Sequence, residues 1–296
     1  MSYIRSFLFI PGDSEKKLSK GDASGADAII LDLEDAVAPS NKDAARSLVR
    51  SYLDERRPNS RSLQIWVRIN PLSTSLALDD IATVIGGAPD GIILPKAEGP
   101  GDVLQLSSYL DEAEKTHNLK VGAIKILPLV TETARSIFHI GDYADTEIAR
   151  LAGLTWGAED LSAALGATTN RDASGEWSFT YKHARSLTLI AASAAGVPAI
   201  ETLYADFKDE DGLRRSCKQA RSEGFSGRLA IHPAQVEIIN ESFCPSQEEV
   251  AFADRVVTAF GDQPGAGVIA LDGKMLDIPH LKQAQKILEM DKAFKR

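Results

Sequence analysis

The chain has 296 residues, 44% hydrophobic and 25% charged, with a formal net charge of -9. That length holds one α/β barrel of about 250 residues plus an appendage, and the composition excludes wholesale disorder. The acidic surplus argues against a general nucleic-acid binder, while Cys217 and Cys244 alone exclude a disulfide framework or thiolate metal cluster and fit a reducing compartment such as the cytoplasm.

The first apolar run, residues 7–10, stops at Pro11 and Gly12. It is too short for a signal-peptide core or a membrane span, so no membrane partner is expected and it reads as a strand. Further strands are predicted at 29–33, 65–69, 91–94, 124–129, 151–156, 199–202 and 229–231. Helix-compatible stretches at 42–53, 78–85, 104–116, 134–143, 181–195 and 209–223 alternate with them. Strands alternating with helices mark a parallel sheet, and eight of them close a (β/α)8 TIM barrel. After the sixth strand, 160–167 supplies one or two helical turns, and 168–179 is a polar, glycine-containing insertion of the kind that builds substrate loops. Beyond Pro233 the character changes to helices at 234–240 and 247–260, a glycine-rich linker at 261–267, a strand at 268–271 and a helix at 279–290. We expect a catalytic barrel over 1–233 and a C-terminal helical lid or oligomerisation arm over 234–296, with a stabilising cap as the competing reading.

Buried strands that end in charge mark the active face of such a barrel. The run 29–37 delivers Asp32, Glu34 and Asp35; later strands deliver Arg68, then Lys96 and Glu98, then Glu132, then Glu159 and Asp160. Glu132 and Asp160 follow consecutive strands, so the fold puts them on one rim, and two carboxylates suit Mg²⁺, with Mn²⁺ left open. The competing reading is that each complements a helix N-terminus. Arg68 suits recognition of a carboxylate or carbonyl oxygen, or else forms a structural salt bridge to Glu34 or Asp35. Glu34 and Asp35 are expected to orient substrate, and Asp32 to be structural. Phe9 and Pro11 line the first strand's end, and Lys16, Lys42 and Arg46 beyond the first two strands are candidates for the phosphates of a nucleotide-bearing ligand. No GxxxxGK[ST], GxGxxG or GxSxG motif is present. His232 has the type of a catalytic base but reads better as a hydrogen-bonded structural residue, and Asp272 and Asp277 beside Gly273 and Pro279 read as turn chemistry.

The segments Arg5-Ser6-Phe7-Leu8-Phe9-Ile10-Pro11-Gly12, Leu31-Asp32-Leu33-Glu34-Asp35-Ala36-Val37, Val67-Arg68-Ile69-Asn70 and Leu94-Pro95-Lys96-Ala97-Glu98 resemble the citrate lyase beta subunit and malyl-CoA lyase family of the HpcH/HpaI aldolase superfamily. Thr131-Glu132-Thr133, Gly157-Ala158-Glu159-Asp160-Leu161, Ile231-His232-Pro233 and Leu271-Asp272-Gly273-Lys274-Met275-Leu276-Asp277 continue the resemblance in order over nearly the whole chain. It implies a barrel lyase in which Mg²⁺ on Glu132 and Asp160 chelates a 2-hydroxy acid joined to an acyl thioester. Arg68 would bind the oxygen of the 2-oxo-acid fragment, and Lys16, Lys42 and Arg46 would contact CoA. Asp277 matches an acid that reaches a neighbouring subunit and exchanges the proton at the thioester α-carbon, which implies a homotrimer or homohexamer. Thr131 departs from the isoleucine or alanine of many relatives. The expected activity is reversible Claisen-type cleavage of malyl-CoA, citramalyl-CoA or β-methylmalyl-CoA to an acyl-CoA and a 2-oxo acid. Alternatives are a citrate lyase beta subunit acting on citryl-acyl-carrier protein, a pyruvate aldolase acting on free 2-oxo acids, and a non-catalytic CoA-binding barrel.

Overall fold

The computed structural model describes residues 3–294. In chain order it contains β1 (Ser6–Pro11), α1 (Glu15–Leu18), β2 (Ala28–Asp32), α2 (Lys42–Glu55), β3 (Gln64–Arg68), α3 (Leu76–Val84), β4 (Gly91–Leu94), α4 (Pro100–Thr116) and β5 (Lys125–Pro128). Then come β6 (Leu154–Thr155), α5 (Ala158–Ala164), α6 (Phe179–Ala194), β7 (Ala199–Glu201), α7 (Glu210–Glu223), β8 (Gly227–Ala230) and α8 (Ala234–Phe243). A tail of α9 (Gln247–Gly261), β9 (Val268–Leu271), β10 (Lys274–Asp277) and α10 (Ile278–Phe294) ends the chain.

The eight parallel strands lie in the order β5-β4-β3-β2-β1-β8-β7-β6. Isolated parallel bridges, Ile126 to Leu151 and Leu129 to Thr155, join the two outer strands and bring the sheet round into the expected barrel. Alternation along each strand divides its apolar residues between two cores. Phe7, Ile30, Trp66, Ile93, Leu127, Ile200 and Leu229 fill the interior, while neighbours such as Leu8, Ile29, Val67 and Ile92 pack outward with the helices. Burial on both faces is why these strands read as continuous apolar runs. Gly91 leaves room for the largest interior side chain, since a Cβ there would sit 2.2 Å from the Trp66 ring.

Three local expectations change: the strand expected over 151–156 keeps only Leu154–Thr155, and two more segments differ. The helix predicted at 134–143 is replaced by 3-10 turns, Ser136–Phe138 and Ile140–Ala144. Here Thr133 and Ser136 bond each other's backbone through their hydroxyls, offering the chain an alternative to helical hydrogen bonds. The segment Lys274–Asp277 is a strand rather than turn alone, paired antiparallel with β9. Asp272 and Gly273, at φ 51° and 75°, form the two-residue loop with both central residues left-handed that matches hairpin twist.

The helix α8 belongs with the barrel, because Val236, Ile238, Ile239 and Phe243 enter the outer core. After it, Ser246 and Glu249 cap α9 reciprocally. The tail then closes its own core of Ala253, Val256, Phe260, Ile269, Leu276 and Ala284. Its ties to the barrel include the Arg221–Glu249 ion pair at 2.9 Å and Phe294, whose ring lies 4.6 Å from the Arg5 guanidinium. Among the described residues no helix is long and apolar enough to cross a membrane.

Candidate active site

Strand parity carries charge into the barrel mouth. Asp32 and Arg68 lie two residues beyond the interior residues Ile30 and Trp66, and the register pairs them directly across β2 and β3. Arg68 therefore meets Asp32 in a bidentate contact, Nε to Oδ1 at 2.7 Å and Nη2 to Oδ2 at 2.6 Å. Its Nη1 lies 3.0 Å from Glu34, and its guanidinium stacks 4.7 Å from the Phe9 ring centre. Asp32, 1% exposed, also accepts the backbone N–H groups of Glu34 and Ala36, which fixes the acidic loop. Burial works against the Arg68 cation, but Asp32 outweighs it and holds the pKa above the ordinary arginine value. Burial pushes the Glu34 carboxyl up, against the opposing pull of Arg68 and Lys96.

Lys96 links this cluster to the next. At φ 51° it occupies the left-handed region that non-glycine residues rarely adopt. Its backbone N–H donates to Glu132 Oε2 at 2.7 Å, and its Nζ donates to Glu34 Oε1 at 2.6 Å while lying 3.3 Å from Asp160 Oδ1. Lys96 thus holds one carboxylate through its backbone N–H and another through its side chain. Burial opposes the Lys96 charge, but Glu34, Glu132 and Asp160 together outweigh it and raise the pKa above the usual lysine value.

Glu132 follows β5 and is 4% exposed; Asp160 stands in the first turn of α5 and is partly open. Burial, reinforced by the neighbouring Asp160 charge, pushes the Glu132 carboxyl up to about 8. Among the described residues Glu132 has no ion-pair partner, so a cation between the two acids would supply the charge this buried group lacks. Gly157 keeps the space beside it, since a Cβ there would lie 3.1 Å from Glu132 Oε1. No group of three or more histidine, cysteine or acidic side chains gathers as a ready metal cage among the described residues. Two hard oxygen donors facing open space fit Mg²⁺, which keeps most of its octahedral positions for water and substrate.

Beside these residues lies a cavity of about 570 Å³ at the carboxyl ends of the strands, whose lining does not include Glu34 or Lys96. Phe9, Pro11, Asp35, Arg68, Glu132 and Asp160 all line it. Three expected phosphate contacts do not. Lys42 spends its Nζ on the carbonyls of Leu33 and Glu34 and on Asn70, at 2.6 to 2.9 Å. Arg46 is buried between Asp43 and Asp80 and ties α2 to α3. Lys16 is exposed in α1 but turned from the cavity, whereas Lys17 and Lys20 line it. A helix turns about 100° per residue, so the neighbour of the residue chosen from sequence faces the opening. His232 also lines the rim, where it is exposed, stacks 4.6 Å from Phe207 and accepts the Ala234 N–H at its Nδ1. Asp277 is not in this cavity; it sits on the tail hairpin beside His280. Lys96, which the sequence marks only as a charge at the end of an apolar strand, is the residue that joins Glu34, Glu132 and Asp160.

A closed parallel barrel with an acid pair and a clamped arginine at its mouth defines an α/β-barrel enzyme whose chemistry lies at the carboxyl ends of the strands. The chain belongs to the HpcH/HpaI aldolase/citrate lyase family, whose model matches residues 5–233. It is 36% identical to a (3S)-malyl-CoA thioesterase of Cereibacter sphaeroides, over 98% of this chain and 95% of the relative. It is 35% identical to the citrate lyase subunit beta of Haemophilus influenzae, over 99% and 98%, and 33% identical to the mitochondrial citramalyl-CoA lyase of Rattus norvegicus, over 98% and 87%. Among solved structures, the CitE protein of Mycobacterium tuberculosis in complex with magnesium, acetoacetate and coenzyme A superposes with a TM-score of 0.80, at 32% identity, covering 98% of this chain and 99% of that one.

Proposed function

We propose that the protein is a Mg²⁺-dependent carbon–carbon lyase that splits a short 3-hydroxyacyl-CoA bearing a second carboxylate, of the malyl-, citramalyl- or β-methylmalyl-CoA type, into an acyl-CoA and a 2-oxo acid. The observation that carries this reading is the placement of Glu132 and Asp160 on the same cavity as an Arg68 already oriented by Asp32 and Glu34. Glu132 and Asp160 would hold the metal, which when bound supplies Lewis-acid stabilisation of charge developing on the substrate oxygens. Arg68 presents its remaining N–H groups to the 2-oxo-acid fragment and stabilises the carbonyl oxygen that forms as the carbon–carbon bond breaks. The hydroxyl proton passes to solvent, the bond's electron pair passes to the thioester fragment as its enolate, and a proton is added to the α-carbon. We assign that last proton to Asp277 of a neighbouring copy in a homotrimer or homohexamer. Asp35, at the cavity edge and 3.8 Å from Lys96, orients the substrate together with Glu34. Lys17 and Lys20 meet the phosphates of CoA. Cys217 and Cys244 are both free thiols, and we place the enzyme in the cytoplasm.

The test is incubation of metal-depleted protein with the three thioesters, with Mg²⁺ or with chelator, following glyoxylate or pyruvate alongside the acyl-CoA. Metal-dependent release of both fragments is the expected result. Release of the intact hydroxy acid would identify a thioesterase, like the Cereibacter relatives. Turnover confined to citryl-acyl-carrier protein would identify a citrate lyase subunit, in line with the near full-length match to the Haemophilus protein.

A further inference from the structure

The two proposed metal ligands sit on either side of the least paired place in the barrel. The strand β6 has two residues and joins β5 only through isolated bridges, with Val130 N–H to Thr155 O, at 2.9 Å, as the last backbone bond toward the mouth. One residue further on, the backbone ladder gives way to a side chain. Thr131 Oγ1 accepts the Gly157 N–H at 2.9 Å and donates to the Gly157 carbonyl at 3.0 Å, and Thr131 is fully buried. A hydroxyl has one proton to give and lone pairs to receive, so this single group satisfies both polar atoms of one peptide unit's residue as a partner strand would. Thr131 immediately precedes Glu132, and Gly157 stands three residues before Asp160. From the other side, the Lys96 N–H fixes Glu132 Oε2.

We propose that Thr131 is a positioning residue that latches the β5 loop to the β6 loop and thereby sets the spacing of Glu132 and Asp160 for a divalent cation. This rests on the reading of those two acids as metal ligands. Valine has the shape of threonine without the hydroxyl, so Thr131→Val opens the latch without opening a large void, and Thr131→Ser keeps it.

The test is Mn²⁺ binding to the metal-depleted protein, followed by EPR, with thermal unfolding measured in chelator on the same samples. T131V is expected to bind Mn²⁺ about tenfold more weakly than wild type, the loss typical when a group orienting a metal ligand is removed. T131S is expected to retain the wild-type affinity. If T131V does not fold, Thr131→Ala removes the same hydroxyl with less crowding and takes its place. Unchanged Mn²⁺ affinity in the hydroxyl-free variant overturns the latch, even with a lower unfolding temperature, because the hydroxyl then serves only folding. Equal weakening in T131S also overturns it, since the hydroxyl would not be the cause. A wild-type protein that binds no Mn²⁺ at all overturns the ligand assignment itself and the latch with it, whereas the first two results overturn the latch alone.

Discussion

The arc from β1 to β4 and the seam between β5 and β6 carry opposite solutions to holding charge at one barrel mouth. Along the arc, β1 with β2 and β2 with β3 each share five aligned residue pairs. Its charges are already paired with one another: Arg68 with Asp32 and Glu34, Lys96 with Glu34. At the seam only isolated bridges form, and Glu132 there lacks a cation of its own. Dense pairing delivers a preassembled ion-pair cluster, and sparse pairing leaves a buried acid without an ion-pair partner among the described residues. Where the backbone ladder is thin, side chains hold the strands: Thr131 at the mouth, and at the opposite end Arg150. Arg150, 2% exposed, bonds Glu114 and the Ile124 carbonyl, and its own carbonyl receives the Ile126 N–H.

The strongest way to break this contrast is to cut the seam at Arg150. Arg150→Met leaves Glu114 buried without its partner and is expected to lower folding stability by about 3–5 kcal/mol, read by denaturant unfolding. Next, chelation or Glu132→Gln should slow thioester cleavage by about a thousandfold, several kcal/mol of barrier, while the unfolding midpoint in chelator stays at or above the wild-type value. Replacement of the buried acid by its neutral isostere relieves the charge that burial disfavours, and a fall in stability would show that the seam does not hold an uncompensated carboxylate. On the arc, Arg68→Lys keeps the charge but loses the fork, and kcat should fall by about a hundredfold. Acid titration sharpens the comparison further. Burial alone would raise the Glu114 carboxyl, but Arg150 and the N–H groups of Ile124 and Gly122 outweigh it and hold it below its usual value. Its contribution is therefore complete above the unfolded glutamate pKa of about 4.3 and disappears as pH falls through the lower folded value. Stability curves of wild type and Glu114→Gln should converge below pH 4. The smallest effect belongs to the rim, where Lys17→Ala or Lys20→Ala should raise KM for the CoA ester about threefold.

The arc was the more legible half. Apolar runs ending in Asp32, Arg68 and Lys96 expose the strands and their active ends because parallel strands are buried on both faces. Which acid clamps Arg68 was not readable, since the register that opposes Asp32 to Arg68 depends on pairing between segments far apart in sequence. Lys42 and Arg46 follow the right strand, but following a strand does not say which way a helical side chain turns. Lys42 turns back onto its own loop, and Arg46 turns to α3. The seam was hardest to read. A strand expected over 151–156 keeps only Leu154–Thr155, and Gly153 there approaches so closely that a Cβ would lie 2.7 Å from the Pro198 carbonyl. In the tail the Asp272-Gly273 pair was visible as turn chemistry, and its two positive φ angles are those of a hairpin.

The last helix works as a ruler. Its far end is pinned where Phe294 meets Arg5, at the amino ends of the strands and thus on the face opposite the cavity. Its near end carries the hairpin with Asp277, and 17 helical residues at 1.5 Å each separate the two by about 25 Å. The tail's closed core packs against that helix, so the distance of Asp277 from the barrel's amino face is written into the number of turns in α10. Removing four residues from the middle of that helix would keep nearly the same face outward and shorten the reach by about 6 Å.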